Sequence, residues 1–443
     1  MKPLLSKQTW RDFASWEMFA WPLVAYLLLH AGLAAHNFLV PGAIMRGDRA
    51  GQRLNFIESF VAAPSKLPQI MLASGWPGDW LAHGLLWLMG GSMLVVFVQI
   101  MLGALAITAT IGIARALGAG TAAAATAGML AVALPGGIMN PHLLVNESWF
   151  AAMVALGLWS LAEAVRRDRG ALVIGGMLLM GAAALIRPQG MILAPVALGI
   201  LYFISPSLRR NAFVGALLAI AIAPGLWLGW RYLQTGEFGL GPSGFDLASN
   251  LRLRINRAAD IAGLRDRAID TQSGGPRVTI REFLVFAWQY PIAVIQSFLS
   301  DLFNFIFNPG ANHLFGHYLK MIQTPDDYGY WKRILDTKGL LGLFSAILAQ
   351  GMGLLFTLLL MGLVHVTALF GAAMGLWYVI KYSTRPAQSV AFLILALTAT
   401  QVAATFVAGI VRWAHRAPME PVVAALAGIG LYWAYCMLRN RRT

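Results

Sequence analysis

An acid stands among arginines in the segment AIMRGDRAGQRLNF, residues 43–56, directly after a long apolar run. Asp48 lies between Arg46 and Arg49, and flanking arginines favour the charged form of a carboxylate. A carboxylate that stays charged at the mouth of a cavity can act as a general base. In an ordinary loop, the same carboxylate would only form an ion pair with its neighbours. The residue types and their spacing leave both interpretations open.

Three further carboxylates are candidates for a second acid. Glu58 and Asp79 follow Asp48 in the same polar segment, which therefore holds three of the 19 acidic residues of the chain. An acid near a bilayer is costly unless it faces water or a partner, so both have a functional interpretation. Glu147, in VNESWF at 145–150, lies at a predicted helix start. There it would also complement the helix dipole, which is its structural alternative.

Cationic side chains recur in two short motifs further along the chain. Arg187, in ALIRPQG at 184–190, stands alone between two apolar runs. A lone arginine in that position needs an anionic partner, either an acid of the protein or a lipid phosphate. The motif RWAHRAPMEP at 412–421 adds three more cations, Arg412, His415 and Arg416. The rigid fork of arginine suits phosphate, which favours a phosphate site over an ion pair with Glu420.

The sequence gives little support for a metal centre. It contains no HExxH or CxxC motif and no paired spacing of histidine with carboxylate, and its single cysteine, Cys436, lies in the last apolar run. His83, in GWPGDWLAHGLLWLMGG at 75–91, is a lone histidine at a predicted helix start, where a capping or surface role is usual. We therefore predict no metal and no other cofactor.

The composition places these residues in a membrane. The chain has 443 residues, of which 58% are hydrophobic and 12% charged, and its mean hydropathy is +0.66. Ordinary soluble domains contain roughly a quarter charged residues. The net charge of +14 is explained by basic residues that flank membrane helices and meet anionic headgroups. We predict an all-α polytopic membrane protein that contacts membrane lipids and no nucleic acid.

Apolar runs of bilayer-spanning length predict about ten transmembrane helices, within a range of about 10–12. They form a single transmembrane domain over 1–443, with polar outer loops at 36–90 and 233–346 that contain interfacial helices. Pro291 and Asp301 interrupt the apolar segment 283–308, which we interpret as one or two helices in the outer membrane interface. The predicted spans are 16–35, 91–113, 119–138, 148–165, 171–186, 190–206, 212–232, 347–379, 388–410 and 421–438.

Basic clusters predict the orientation of these spans. If the N-terminal residues Lys2, Lys7 and Arg11 face the cytoplasm, the same side also receives RRDR at 166–169, LRR at 208–210, KYSTR at 381–385 and RNRR at 439–442. Both termini are then cytoplasmic, and only the cluster at 412–416 breaks the rule. The N-terminal segment does not resemble a cleavable signal, so the first helix is expected to remain as an anchor. No organellar signal is seen, and we expect a bacterial plasma membrane.

In their order along the chain, these motifs resemble those of the GT-C superfamily of membrane glycosyltransferases. The similar branch contains protein mannosyltransferases and the lipid A aminoarabinose transferase. RGDRAGQRL resembles the outer loop with a catalytic acid, and GWPGDWLAHGLLWLMGG resembles the proline-containing stretch before the second helix. VNESWF, LIRP and RWAHRAPMEP resemble three later elements of the family. The chain departs from the pattern at Arg49, which replaces the second acid of a D-E pair.

The resemblance implies transfer of a sugar, with inversion, from a polyprenyl-phosphate donor to a lipid, glycan or protein acceptor on the outer face. Asp48 would take the proton from the acceptor hydroxyl. Cations would absorb the charge that grows on the lipid phosphate as it leaves, and a phosphate leaves readily enough without a metal. The arginines of 252–281 could order over the donor as a lid. The donor-binding candidates are Arg49, Arg187, Arg412, His415 and Arg416.

Other protein classes compete with this interpretation. A transporter or flippase of a lipid-linked sugar would fit intramembrane charges and broken helices, but the chain has no internal repeat and its polar features gather in outer loops. A glycan polymerase or ligase with a lipid-pyrophosphate donor would share the arginine chemistry and use 233–346 as its main site. A scaffold without activity explains neither the outer acids nor the outer arginines.

Overall fold

The computed structural model describes most of the apolar part of the chain. Within that part it contains helices and no strand, which confirms the predicted all-α class. Among the residues described, seven helices are long and apolar enough to cross a membrane, or up to nine if each of two bent helix pairs is one span. The described residues are 17–39, 57–59, 61–63, 78, 83–143, 145–236, 247–261, 263, 279–307, 329–349, 352–407 and 413–440.

Among the described residues, nine helices lie in the first half of the chain. Each predicted span there coincides with one of them or with a consecutive pair. Gly90 and Gly91 have non-helical dihedral angles, so the regular part of α2 begins directly after Gly91, one residue after the predicted start at 91. The nine helices are α1 (Glu17–Leu39), α2 (Leu85–Ala116), α3 (Thr121–Ala133), α4 (Pro135–Met139), α5 (Glu147–Arg167), α6 (Gly170–Ile186), α7 (Leu193–Ile204), α8 (Arg209–Ile220) and α9 (Leu226–Thr235).

The second half contains seven helices among its described residues. Two of them, α11 and α12, meet at an angle of 105° where Pro291 begins the second helix. Only when taken together are the two helices long and apolar enough to cross a membrane, and the interfacial location predicted for 283–308 stays a prediction. The seven helices are α10 (Leu247–Ile261), α11 (Ile280–Gln289), α12 (Pro291–Phe307), α13 (Gly329–Ala349), α14 (Met352–Tyr382), α15 (Arg385–Val407) and α16 (Glu420–Asn440).

Short turns between α5, α6, α7 and α8 make these helices antiparallel neighbours. With 21 residues, α5 is about 30 Å long. The helix ends at 135–147, 186–193 and 413–420 therefore lie at one end of the bundle, which we call the outer end after the predicted orientation. The helix ends at 167–170 and 204–209 lie at the opposite, inner end.

Glycines bring the backbones of α14 and α16 into direct contact. A Cβ atom added at Gly430 would overlap the backbone of Gly371, and one added at Gly375 would overlap the backbone of Leu426. On α16, a Cβ atom at Gly428 would lie 2.5 Å from the backbone of Ala123 in α3. Small residues at such crossings are typical of membrane helices, whose association depends on close packing. These contacts fix α16 between α3 and α14.

The contact between α14 and α16 predicts that glycine-to-alanine substitutions lower the free energy of unfolding by different amounts at different positions. Gly430→Ala is expected to lower the free energy of unfolding by about 1–3 kcal/mol, because the new methyl group meets backbone that cannot rotate away. Gly362→Ala, on the same α14, is the matched control, since a Cβ atom there has no neighbour within 4 Å. Unfolding in detergent measures both variants. Equal effects of the two substitutions would contradict the close crossing.

Candidate functional site

Glu147 and Arg187 form an ion pair at the outer end. Glu147 occupies the first turn of α5, and Arg187 follows the last residue of α6. Pro188 disfavours helical geometry in the residue before it, so Arg187 is extended and leaves the helix there. The sequence left open whether an acid or a lipid phosphate accompanies this arginine, and the structure supplies an acid. The Arg187 side chain is still 18% exposed, whereas Glu147 is buried.

Arg416 and Glu420 form a second ion pair at the outer end. The Arg416 Nε atom lies 3.4 Å from a Glu420 carboxylate oxygen, one helical turn away, and the arginine is only 3% exposed. Its Nη1 group donates to the carbonyl oxygens of Phe305 and Ile306 at 2.8 and 3.2 Å. The same group lies 3.2 Å from Nε2 of His365. The arginine therefore joins the segment 413–420 to α12 and α14.

A cavity of about 50 Å³, with mainly apolar walls and a few polar groups, lies next to Glu420. Glu420 and Ser148, the neighbour of Glu147, both line it, together with Tyr26 and Asn140. Within the described part of the chain, the hydroxyls of Tyr26 and Ser148 and both amide atoms of Asn140 have no hydrogen-bond partner. A buried polar atom without a partner is costly, and this volume has room for a few water molecules or a small polar group. Of the four residues in the two ion pairs, Glu420 lines this cavity, and Glu147 is represented there by its neighbour Ser148.

Two histidines separated by 112 residues meet next to this cavity. Nδ1 of His30 lies 2.7 Å from Nε2 of His142, and the two rings are stacked with their centroids 4.9 Å apart. The Tyr26 ring lies 4.0 Å from the His30 ring. One imidazole donates and the other accepts in such a pair. The contact ties α1 to the turn that precedes α5, and the sequence did not predict it.

His83 is buried, in contrast to the capping or surface role expected from the sequence. Its Nε2 atom lies 3.4 Å from the side-chain oxygen of Gln99, and the Gln99 amide donates to the carbonyl oxygens of Pro141 and Leu143 at 2.9 Å each. The predicted surface role was wrong because Gln99 of α2 supplies a polar partner that allows this histidine to be buried. The result is a polar contact that supports the turn at 140–143.

Two arginines of the predicted lid are paired with one buried acid. Arg254 and Arg257 of α10 both form ion pairs with Asp301 of α12. Arg254 also donates to the carbonyl oxygen of Phe406 at 3.1 Å and lies 4.2 Å from the Phe298 ring. Burial lowers the pKa of the Arg254 guanidinium, and the Asp301 carboxylate opposes that shift. The ion pairs fasten α10 to α12 and to the end of α15.

Several predicted site residues lie outside the described residues. Glu58 is described: it is exposed on a short helical turn that Ile57 anchors against Trp227. The described residues contain no group of three or more His, Cys, Asp or Glu that could hold a metal, and the absence of a metal stays a prediction. The residues that fall outside are Asp48, Arg49, Asp79, Arg265, Arg267, Arg277 and Arg412, together with the side chain of His415.

No family model and no curated protein matches the chain. Among solved structures, oligosaccharyltransferase AglB from Archaeoglobus fulgidus, in complex with an inhibitory peptide and a dolichol-phosphate, is similar over 97% of this chain and 52% of its own, with 16% identity and a TM-score of 0.49. The apo form of the A. fulgidus oligosaccharyltransferase is similar over the same shares with 17% identity and a TM-score of 0.49.

A further structure of the A. fulgidus oligosaccharyltransferase, in complex with Zn and sulfate, is similar over 82% of this chain and 41% of its own, with 17% identity and a TM-score of 0.40. The chain thus spans about half the length, or less, of the oligosaccharyltransferases that it matches.

The pair of Glu147 and Arg187 predicts a double-mutant coupling. Glu147→Gln leaves a largely buried guanidinium without its counter-charge and is expected to cost about 3 kcal/mol in the free energy of unfolding. Arg187→Gln should cost a similar amount, and the double variant at least about 1 kcal/mol less than the sum of the two. Unfolding in detergent measures all three.

The control for this cycle is Arg167→Gln at the inner end. Arg167 also pairs with a glutamate, Glu163, but its side chain is 48% exposed. Its loss is expected to cost less than about 1 kcal/mol, as is usual for exposed ion pairs. Strict additivity of Glu147→Gln and Arg187→Gln would show that the pair does not hold the outer end together.

Proposed function

We propose that the chain is a glycosyltransferase of the GT-C type. It transfers a sugar, with inversion, from a polyprenyl-phosphate donor to a lipid, glycan or protein acceptor at the outer face of a bacterial plasma membrane. One observation carries the proposal: three motif segments that lie far apart in sequence, 140–148, 185–190 and 413–421, meet at one end of a helical membrane bundle. Their meeting brings two arginine–carboxylate pairs to the same end of the bundle, and Glu420 of one pair lines a small cavity there.

Arg187 is the described residue best suited to contact the donor phosphate. Its guanidinium has five N–H donors, so it can bond Glu147 and still donate to a phosphate oxygen. A fixed cation at this point stabilises the negative charge that grows as the phosphate leaves. The deeply buried Arg416 holds 413–420 in place, and the same motif contributes Arg412 and His415 as further phosphate ligands in this proposal. Arg49 would approach from the first outer loop.

Asp48 acts as the general base in this proposal. It removes the proton of the acceptor hydroxyl while the hydroxyl oxygen attacks the anomeric carbon. The bond between that carbon and the phosphate oxygen breaks, and the lipid phosphate leaves with the electron pair. Asp48 follows the end of α1 at Leu39 by nine residues, which span at most about 30 Å when extended, so the outer end is within its reach. Glu58, Asp79 and Glu147 are the candidates for a second acid.

A transporter of a lipid-linked sugar is the second candidate. The observation in its favour is the 59° bend between α3 and the short helical segment that begins at Pro135, because broken helices line the substrate sites of many transporters. The two candidates differ in whether a glycosidic bond is formed. A single reconstituted preparation can therefore distinguish them.

Asp48→Asn is expected to lower kcat for sugar transfer by about 10²–10⁴, with donor affinity retained, because it removes the base and leaves the phosphate ligands. Radiolabelled polyprenyl-phosphate sugars and an acceptor extract are supplied to the purified protein in liposomes, and product formation is measured. Asp260→Asn, which removes an exposed carboxylate on α10, is the control and should match the wild type.

Two outcomes of this experiment are decisive. Equal turnover by the wild type and Asp48→Asn would remove Asp48 from the mechanism. Movement of intact lipid-linked sugar across the liposome membrane, with no transfer product from the wild type, would support the transporter.

Arg187→Gln is expected to raise the Kd for a polyprenyl-phosphate sugar about tenfold, since a hydrogen bond to a charged group is worth about 1.5–3 kcal/mol. Binding to detergent-solubilised protein is measured at a temperature where the variant is folded. Arg167→Gln, at the inner end, removes the same charge without altering the outer end and should bind the donor as the wild type does. Unchanged affinity of Arg187→Gln would exclude this arginine from the phosphate site.

A further inference from the structure

An open groove of about 480 Å³ lies at the inner end, where α7 and α8 meet. Its walls are apolar: Leu198, Phe203 and Phe213 contribute to them, and the two phenylalanines are 79% and 61% exposed. Arg209 and Arg210, which begin α8, stand at the same groove. The groove thus combines a long apolar surface with two cations at one of its ends.

Arg209 is held in place by the end of the preceding helix. Its Nε group donates to the carbonyl oxygen of Tyr202 at 2.7 Å, and its guanidinium lies 4.4 Å from the centre of the Tyr202 ring. Both contacts use the inner part or the face of the guanidinium, so its two terminal nitrogens can still donate to another group. The arginine is therefore positioned before a ligand arrives.

The arginines of this groove differ from other arginines at the inner end in their ion-pair partners. At the same end of the bundle, Arg166 and Arg167 share the carboxylate of Glu163. Over the residues that the structure describes, neither Arg209 nor Arg210 has such a carboxylate partner. Asp168 at the same end accepts a hydrogen bond from the Ser207 hydroxyl at 2.5 Å, so the two positive charges at the groove have one acid near them and no direct ion pair with it.

We propose that this groove binds one anionic phospholipid. The phosphate accepts hydrogen bonds from Arg209 and Arg210, and an acyl chain lies along Phe203 and Phe213. Basic pockets between membrane helices bind anionic headgroups, and apolar walls beside them suit the chain of the same molecule. A zwitterionic lipid would leave the excess charge of the two arginines uncompensated. The site lies at the inner end of the bundle, opposite the outer end, and does not depend on the proposed function.

Native mass spectrometry of delipidated protein in detergent tests the site. Phosphatidylglycerol and phosphatidylcholine with identical acyl chains are titrated separately. We expect the wild type to retain one phosphatidylglycerol at concentrations at which phosphatidylcholine dissociates. Arg209→Gln/Arg210→Gln is expected to lower the affinity for phosphatidylglycerol at least tenfold. Phe213→Ser, which keeps both charges, should weaken binding of the same lipid by removing contact with its chain.

Arg385→Gln/Arg439→Gln is the matched control, since it removes two exposed arginines, at the ends of α15 and α16, that do not line the groove. It should retain phosphatidylglycerol as the wild type does. The proposal is overturned if phosphatidylcholine binds as tightly as phosphatidylglycerol, or if Arg209→Gln/Arg210→Gln keeps wild-type affinity. Competition by glycerol phosphate at the same concentrations would also overturn it, because a ligand without acyl chains does not need the groove. Arg210→Gln alone serves as the charge variant if the double variant fails to fold.

Discussion

A guanidinium inside a bundle of membrane helices is stable only beside groups that balance its charge and accept its hydrogen bonds. At the outer end of this chain, Arg187 meets this requirement with Glu147, and Arg416 meets it with Glu420 and two backbone carbonyls. The first pair joins the start of α5 to the end of α6. Arg416 and Glu420 lie in one segment, and their other contacts join that segment to α12 and to Gly136 of α4.

The same end of the bundle is also where the backbone is least regular. Short 3₁₀ turns at Asn140–His142, Pro188–Ile192 and Trp413–Met419 all contain proline, which ends the preceding helix pattern and leaves backbone groups without helical partners. Side chains satisfy several of these groups: the Gln99 amide donates to two carbonyls near 141–143, and Glu420 accepts from the backbone of Gly136. Irregular backbone at membrane depth is tolerated where protein supplies such partners. The outer end thus concentrates polar groups in a way that regular helices would not.

Much of this arrangement follows from local sequence. Apolar runs located the spans, because a helix in lipid satisfies its own backbone and needs only length and hydropathy. The sequence offered an ion pair between Arg416 and Glu420 as the alternative to a phosphate site, because the two residues are one helical turn apart. The contact of His30 with His142, and that of Asp301 with Arg254 and Arg257, join residues far apart in sequence. No local pattern encodes such a pairing, since it arises only when helices pack.

The glycine contacts between α14 and α16 limit the movement of α16, which begins at the outer end. Where two helices touch through side chains, rotamer changes let their axes drift by fractions of an ångström. Gly371 and Gly430 leave only backbone at the crossing, and backbone offers no such adjustment. Glu420 is the first residue of α16, the helix that contains Gly430, so its backbone lies on the same helix axis. The carboxylate that lines the cavity therefore lies at the start of a helix whose position is set by contact between backbones.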